Sequence, residues 1–139
     1  MKEALMNTLA MVALVVDDYD RALEYYVGVL GFTLLEDTVL SRDQRWVVVA
    51  PDEGVAGARI LLARARGEEQ LAAVGSAAGG RVAFFLHCDN FDATYERFLA
   101  AGVNFTELPR DEPWGRVVVF RDQYGNGWDL IEASERVSR

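Results

Sequence analysis

Three polar residues stand inside otherwise apolar runs. Asp129 lies in "GWDLIE" (127–132), and Arg81 and His87 close the two ends of "RVAFFLH" (81–87). An acid among apolar strand neighbours is costly unless it is exposed, paired or bound to a cation. Arg81 offers a planar guanidinium that takes carboxylates or phosphates bidentately, or that closes an ion pair with an acid such as Asp129. His87 is the only histidine. In a pocket it serves as a general base or holds an anion; at a strand end it is an ordinary surface residue. Any two-histidine mechanism is excluded. Trp114 in "EPWG" follows a turn, where an aromatic forms either a pocket lip or part of the core.

Other chemistry-bearing stretches have simpler accounts. Asp17, Asp18 and Asp20 begin a helix, where negative charge complements the helix dipole. "GSAAGG" (75–80) lacks the lysine of a phosphate loop, and no G-x-S-x-G nucleophile turn occurs.

The elements that position these residues come as a repeat. "VALVVDDYDRALEYYVGVLGF" (12–32) and "VAFFLHCDNFDATYERFLAAGV" (82–103) each pass from an apolar run through acids into a helical pattern ending at glycine. Asp20 and Asp92 are the expected N-caps, and Gly31 and Gly102 the expected left-handed ends. Three β-like stretches follow each helix. They are 32–39, 45–50 and 57–65 in the first copy, and 104–109, 115–120 and 127–132 in the second. Turn signals separate them, including "PDEG", "PRDEPWG" and "YGNG". The pattern predicts an α+β fold of two βαβββ modules, 9–65 and 81–133. The linker 66–80 opens with a short helix, and the whole forms one domain over 1–139.

Alternation then assigns faces. Val12, Leu14 and Val16 share one side of the first strand, as Val82, Phe84 and Leu86 share one side of its counterpart. The helices are expected over these faces. The other faces, with Met11 in the first copy and Arg81, Phe85 and His87 in the second, are expected to line a concave, cupped sheet.

Bulk properties exclude several functions. The chain has 139 residues, 51% hydrophobic and 26% charged, with net charge −8. No run of five residues is predominantly basic, which argues against nucleic-acid binding. Cys88 is the single cysteine and has no internal disulfide partner, and no Cys/His spacing suits zinc. "LAMVALVV" (9–16) is far too short to cross a bilayer and reads as a buried strand. The expectation is a cytoplasmic protein without membrane or nucleic-acid partners.

The doubled module, with its strand–helix openings and the closing hairpin "VVVFRDQYGNGWDLIE", resembles the vicinal oxygen chelate superfamily. That family includes glyoxalase I, extradiol dioxygenases, fosfomycin-resistance enzymes and bleomycin-resistance proteins. The resemblance covers roughly residues 9–133 and implies a homodimer. It also places the metal ligands of metal-dependent members on Met11, Leu61, Arg81 and Asp129. Leucine donates nothing, a thioether suits soft metals, and arginine repels a cation. The resemblance with this donor set therefore implies no metal and no cofactor. It implies a binder of a small organic molecule, with Met11, Leu61 and Phe85 as apolar wall and Arg81, His87, Trp114 and Asp129 around it. The alternative is a glyoxalase- or dioxygenase-type lyase or oxidoreductase with an altered centre.

Overall fold

The computed structural model describes residues 4–54 and 57–134. Strands β1 (Met11–Val16), β2 (Thr33–Ser41), β3 (Gln44–Ala50) and β4 (Arg59–Arg64) form one sheet, ordered β1-β4-β3-β2. Strands β5 (Val82–His87), β6 (Asn104–Phe105), β8 (Gly115–Arg121) and β9 (Gly127–Ala133) form the second, ordered β5-β9-β8-β6, with β7 (Arg110–Glu112) also on β8. In each sheet the opening strand lies parallel to the closing one, β1 on β4 and β5 on β9. The fold is α+β, as the sequence predicts.

Three helical segments accompany the sheets: α1 (Tyr19–Leu23), α2 (Gly67–Ala73) and α3 (Phe91–Ala100). The two long helices start earlier than expected. Asp18 accepts from the Arg21 backbone N–H at 2.9 Å and Asn90 from that of Ala93 at 3.1 Å, so these residues are the N-caps. Asp20 and Asp92 sit inside the first turn instead, where their charge still faces the positive end of the dipole. Gly31 and Gly102 adopt φ of 77° and 85°, the left-handed ends that glycine permits. After Leu23 the first helix widens into a π-helical stretch, Glu24–Val29. Within it Tyr26 is fully buried and its neighbour Tyr25 also packs on the core.

Leu14, Val16 and Leu86 are buried beneath Ala22, Tyr26 and Phe98, so the helices cover the expected faces. Trp128 sits at the centre of this core. Its ring is 5.8 Å from those of Tyr26 and Phe32 in the first half, and 4.4 Å from Phe84 and 5.8 Å from Phe120 in the second. Burying an aromatic of this size removes about 200 Å² from water, a contribution of roughly 5 kcal/mol.

The stretch 104–109 departs from expectation. Only Asn104–Phe105 forms a strand, and a further strand, β7, lies within what the sequence reads as a turn. Pro109 has no amide hydrogen to give a ladder. The Glu107 carboxylate takes over, accepting from the Val119 N–H at 3.0 Å. β7 then pairs with β8 across a two-residue turn, Pro113–Trp114, with Glu112 opposite Gly115.

Candidate functional site

Asp129 acquires its setting from β9. Trp128 and Leu130 point into the core, so the pleat sends Asp129 to the opposite face of the sheet. Its rung partners are Phe85 on β5 and Val119 on β8. The neighbouring rung holds His87, Ile131, Val117 and Arg110. Phe85 is 63% exposed although it lies within a strand, while Asp129 is half-buried.

The charges here are not evenly matched. Arg110 Nε lies 3.1 Å from Glu107 Oε2, and its Nη1 donates to Glu112. These two acids raise its already high pKa. Among the described residues, Asp129 Oδ1 is buried with no hydrogen-bond partner and no ion pair reaches Asp129. Burial holds its carboxyl above the usual carboxylate range, Arg110 pulls it down and Glu107 pushes it up. Three acids thus share one arginine, and Asp129 is the acid left over.

Arg81 does not pair with Asp129. It precedes β5, is exposed, and forms no ion pair among the described residues. Because Phe85 stands opposite Asp129, Arg81 lies four residues away along the strand, roughly 13 Å. The parallel register separates the two charges. Met11 stands opposite Arg59, whereas Leu61 stands opposite Ala13, so these two residues are two rungs apart on one face. Both are half-buried. Trp114 occupies the β7–β8 turn and is 46% exposed, a turn-tip residue outside the core.

A groove of about 1000 Å³ runs between the two halves. Val12, Phe32, Phe84 and Trp128 give it apolar walls, and Arg59 and Arg97 also line it. Arg97 also donates to the Leu30 carbonyl at 3.2 Å, tying α3 to the end of the first helix. Phe85 and His87 line this groove; Met11, Leu61, Arg81, Trp114 and Asp129 do not. Phe85 is therefore shared between the groove and the rung of Asp129. Cys88 also faces the groove, its thiol pushed up to about 11 by burial and by Glu132 and Asp89.

Sequence reasoning misses Glu107, Arg110 and Glu112. The available signal was charge density: "ELPRDE" (107–112) has four charged residues in six, more than a turn needs. It misses Arg97, which lies among polar helix residues, and Arg59, although that residue stands between Ala58 and Ile60.

The chain matches the family model of the glyoxalase/bleomycin resistance protein/dioxygenase superfamily over residues 8–130. It belongs to that superfamily. An uncharacterized protein of Shewanella frigidimarina is 44% identical over 131 residues, spanning 94% of this chain and 96% of the relative. Among solved structures, UcmS2 is 30% identical with a TM-score of 0.80, covering 93% of this chain and 100% of its own. TnmS3, an antibiotic-binding protein from a Streptomyces species, is 26% identical with a TM-score of 0.71, covering 95% and 100%.

Many superfamily members hold a divalent metal in the cup, so the donor set decides whether one fits here. Met11, Leu61 and Arg81 supply no hard oxygen or imidazole donor, and only Asp129 carries a carboxylate. Among the described residues, no three His, Cys, Asp or Glu side chains gather as a metal site. These residues do not fit the family's metal. Among the described residues, no helix is long and apolar enough to cross a membrane.

Proposed function

We propose that this protein binds a small organic molecule, without a metal, and acts by holding it. The observation that carries this reading is Phe85: a large aromatic ring, 63% exposed within a strand, on the wall of a groove of about 1000 Å³. Small-molecule sites are concave and mostly apolar, with a few polar groups that fix orientation. Phe32, Phe84 and Trp128 supply the apolar wall, and Arg59, Arg97 and His87 the polar groups. The similarity to TnmS3 supports the same reading.

In this proposal Met11, Leu61, Arg81 and Trp114 lie outside the groove itself. The chain works as one domain of two modules, as a cytoplasmic homodimer on the family's pattern. A thermal-shift screen across aromatic antibiotics and metabolites tests it. A true ligand at a hundred times its Kd stabilises by about 2.7 kcal/mol, a shift of several degrees. Pretreatment with a chelator should leave that shift intact. One tightly held equivalent of Fe, Mn, Ni or Zn, with turnover that chelation abolishes, would instead establish a metal-dependent enzyme.

A further inference from the structure

We infer that the molecule held in the groove carries an anionic oxygen group, of the carboxylate or phosphate type, taken by the Arg97 guanidinium and drawn in by Arg59. The inference rests on the small-molecule reading above and specifies the chemistry of its ligand.

Arg97 is held ready for such a group. It stands in the last turn of α3 and lines the groove together with Leu30, Gly31 and Thr94. Its Nη2 donates to the Leu30 carbonyl at 3.2 Å, and a Cβ on Gly31 would collide with the same nitrogen. The guanidinium therefore lies directly against the Gly31 backbone, where only a residue without a side chain leaves it room. A guanidinium has five N–H donors. Among the described residues the Leu30 carbonyl is the one acceptor that Arg97 meets, and no ion pair engages it. Thr94, three residues earlier on α3, shares the helix face of Arg97 and adds a hydroxyl to the same wall.

The charges that line the groove are answered unequally. Asp52 Oδ1 accepts from the Glu53 N–H at 2.8 Å, within its own turn. Asp89 precedes the N-cap Asn90, so the positive end of the α3 dipole answers it. It also lies eight residues from Arg97, roughly 12 Å along the helix. Arg59, like Arg97, forms no ion pair among the described residues. An ammonium ligand would meet these two cations. A neutral ligand would offer Arg97 an uncharged acceptor, which makes the weaker hydrogen bond. A carboxylate or phosphate matches the planar fork bidentately. The chain's net charge of −8 opposes this only weakly, because charges more than about 8 Å away are screened at physiological salt.

Three probes of one aromatic frame test this: 1-naphthylacetate, 1-naphthylacetamide and 1-naphthyl phosphate, titrated into the full-length protein by calorimetry. At least one of the two anions is expected to bind about tenfold tighter than the neutral amide, the equivalent of one charge-assisted contact. Which anion binds tighter distinguishes a carboxylate from a phosphate ligand. Arg97→Gln should bring anion and amide to equal affinity, whereas loss of a merely structural tie would weaken both alike. Arg59→Gln should weaken the anion more than the amide. Circular dichroism confirms that each variant folds; Arg59→Gln, at an exposed position, serves if Arg97→Gln does not. The amide binding as well as both anions, or a preference that survives Arg97→Gln, overturns the inference while leaving the small-molecule reading standing. Binding of none of the three also overturns it, and the antibiotic and metabolite screen then decides the broader reading separately.

Discussion

The Tyr26 hydroxyl donates to Asp122 Oδ2 at 2.5 Å, joining the first helix to the turn that precedes the last strand. Asp122 is only 5% exposed and its carboxylate accepts three further hydrogen bonds. The backbone N–H groups of Tyr124 and Asn126 reach Oδ1 at 2.9 and 3.0 Å, and the Asn126 side-chain amide reaches Oδ2 at 3.0 Å. Asn126 in turn accepts from the Ala77 N–H of the linker at 3.0 Å. One buried carboxylate thereby ties together helix, hairpin and linker. Burial and the neighbouring Asp122 keep the Tyr26 phenol protonated far above its ordinary range.

Removing the donor alone, Tyr26→Phe, should cost about 1–3 kcal/mol, because the buried carboxylate loses one partner without losing its volume. Asp122→Ala should cost more, roughly 3–5 kcal/mol, since several donors are stranded together. Urea unfolding measures both. A Tyr26→Phe variant as stable as the parent would remove the hydroxyl from this account.

Asp129 should make the unliganded protein more stable in mild acid. Its folded carboxyl titrates above the unfolded value of about 3.9, so the folded state binds more protons in the interval between them. Stability contributed by this group therefore rises as pH falls through the folded pKa and levels off below the unfolded one. The matched comparison is melting temperature against pH for the parent and Asp129→Asn. The variant should lack this component and melt no lower than the parent at pH 7. A lower melting point at pH 7 would mean that Asp129 is paired after all.

Cys88 should resist alkylation at neutral pH. With its thiol pushed up to about 11, the thiolate fraction stays small until strongly alkaline conditions. Iodoacetamide labelling rates should keep rising about tenfold per pH unit above pH 8. A plateau near the free-cysteine value would contradict the burial described for it.

Two glycine substitutions should diverge. Gly75 has φ of 87°, and a Cβ there would run into the Tyr124 carbonyl oxygen. Gly75→Ala should therefore destabilise by more than about 1 kcal/mol. Gly28 lies in the first helix with nothing within 4 Å of an added Cβ. Gly28→Ala should be neutral or stabilising by up to about 1 kcal/mol. Thermal unfolding of both variants in parallel checks the contrast.

Phe85→Ala should separate binding from stability. The ring is 63% exposed, so its loss should change folding by no more than about 0.5 kcal/mol. Affinity for any ligand found by the screen should fall about tenfold or more, since the ring is the main aromatic surface offered. Equal destabilisation and equal affinity would show that Phe85 packs rather than binds.

Much of the fold was legible because its signals are local. The period-two alternation of "VALVV" and "VAFFL", the glycines at 31 and 102, and the turn at 124–127 each follow from a few neighbouring residues. Each helix starts two residues early because Asp18 and Asn90 cap as readily as Asp20 and Asp92, and only backbone geometry distinguishes a cap from a first-turn acid. The segment 104–112 was misread because a glutamate side chain does there what a backbone group does in a regular ladder.

The sequence by itself determined the doubled architecture and the membership of its superfamily, since residue identity carries both. Only the tertiary structure decided which charges meet. Strand register is set by packing across the sheet, and it puts Phe85 rather than Arg81 beside Asp129. The same packing sinks Asp122 beneath Tyr26. Both pairs join residues far apart in the chain, where no local pattern reaches.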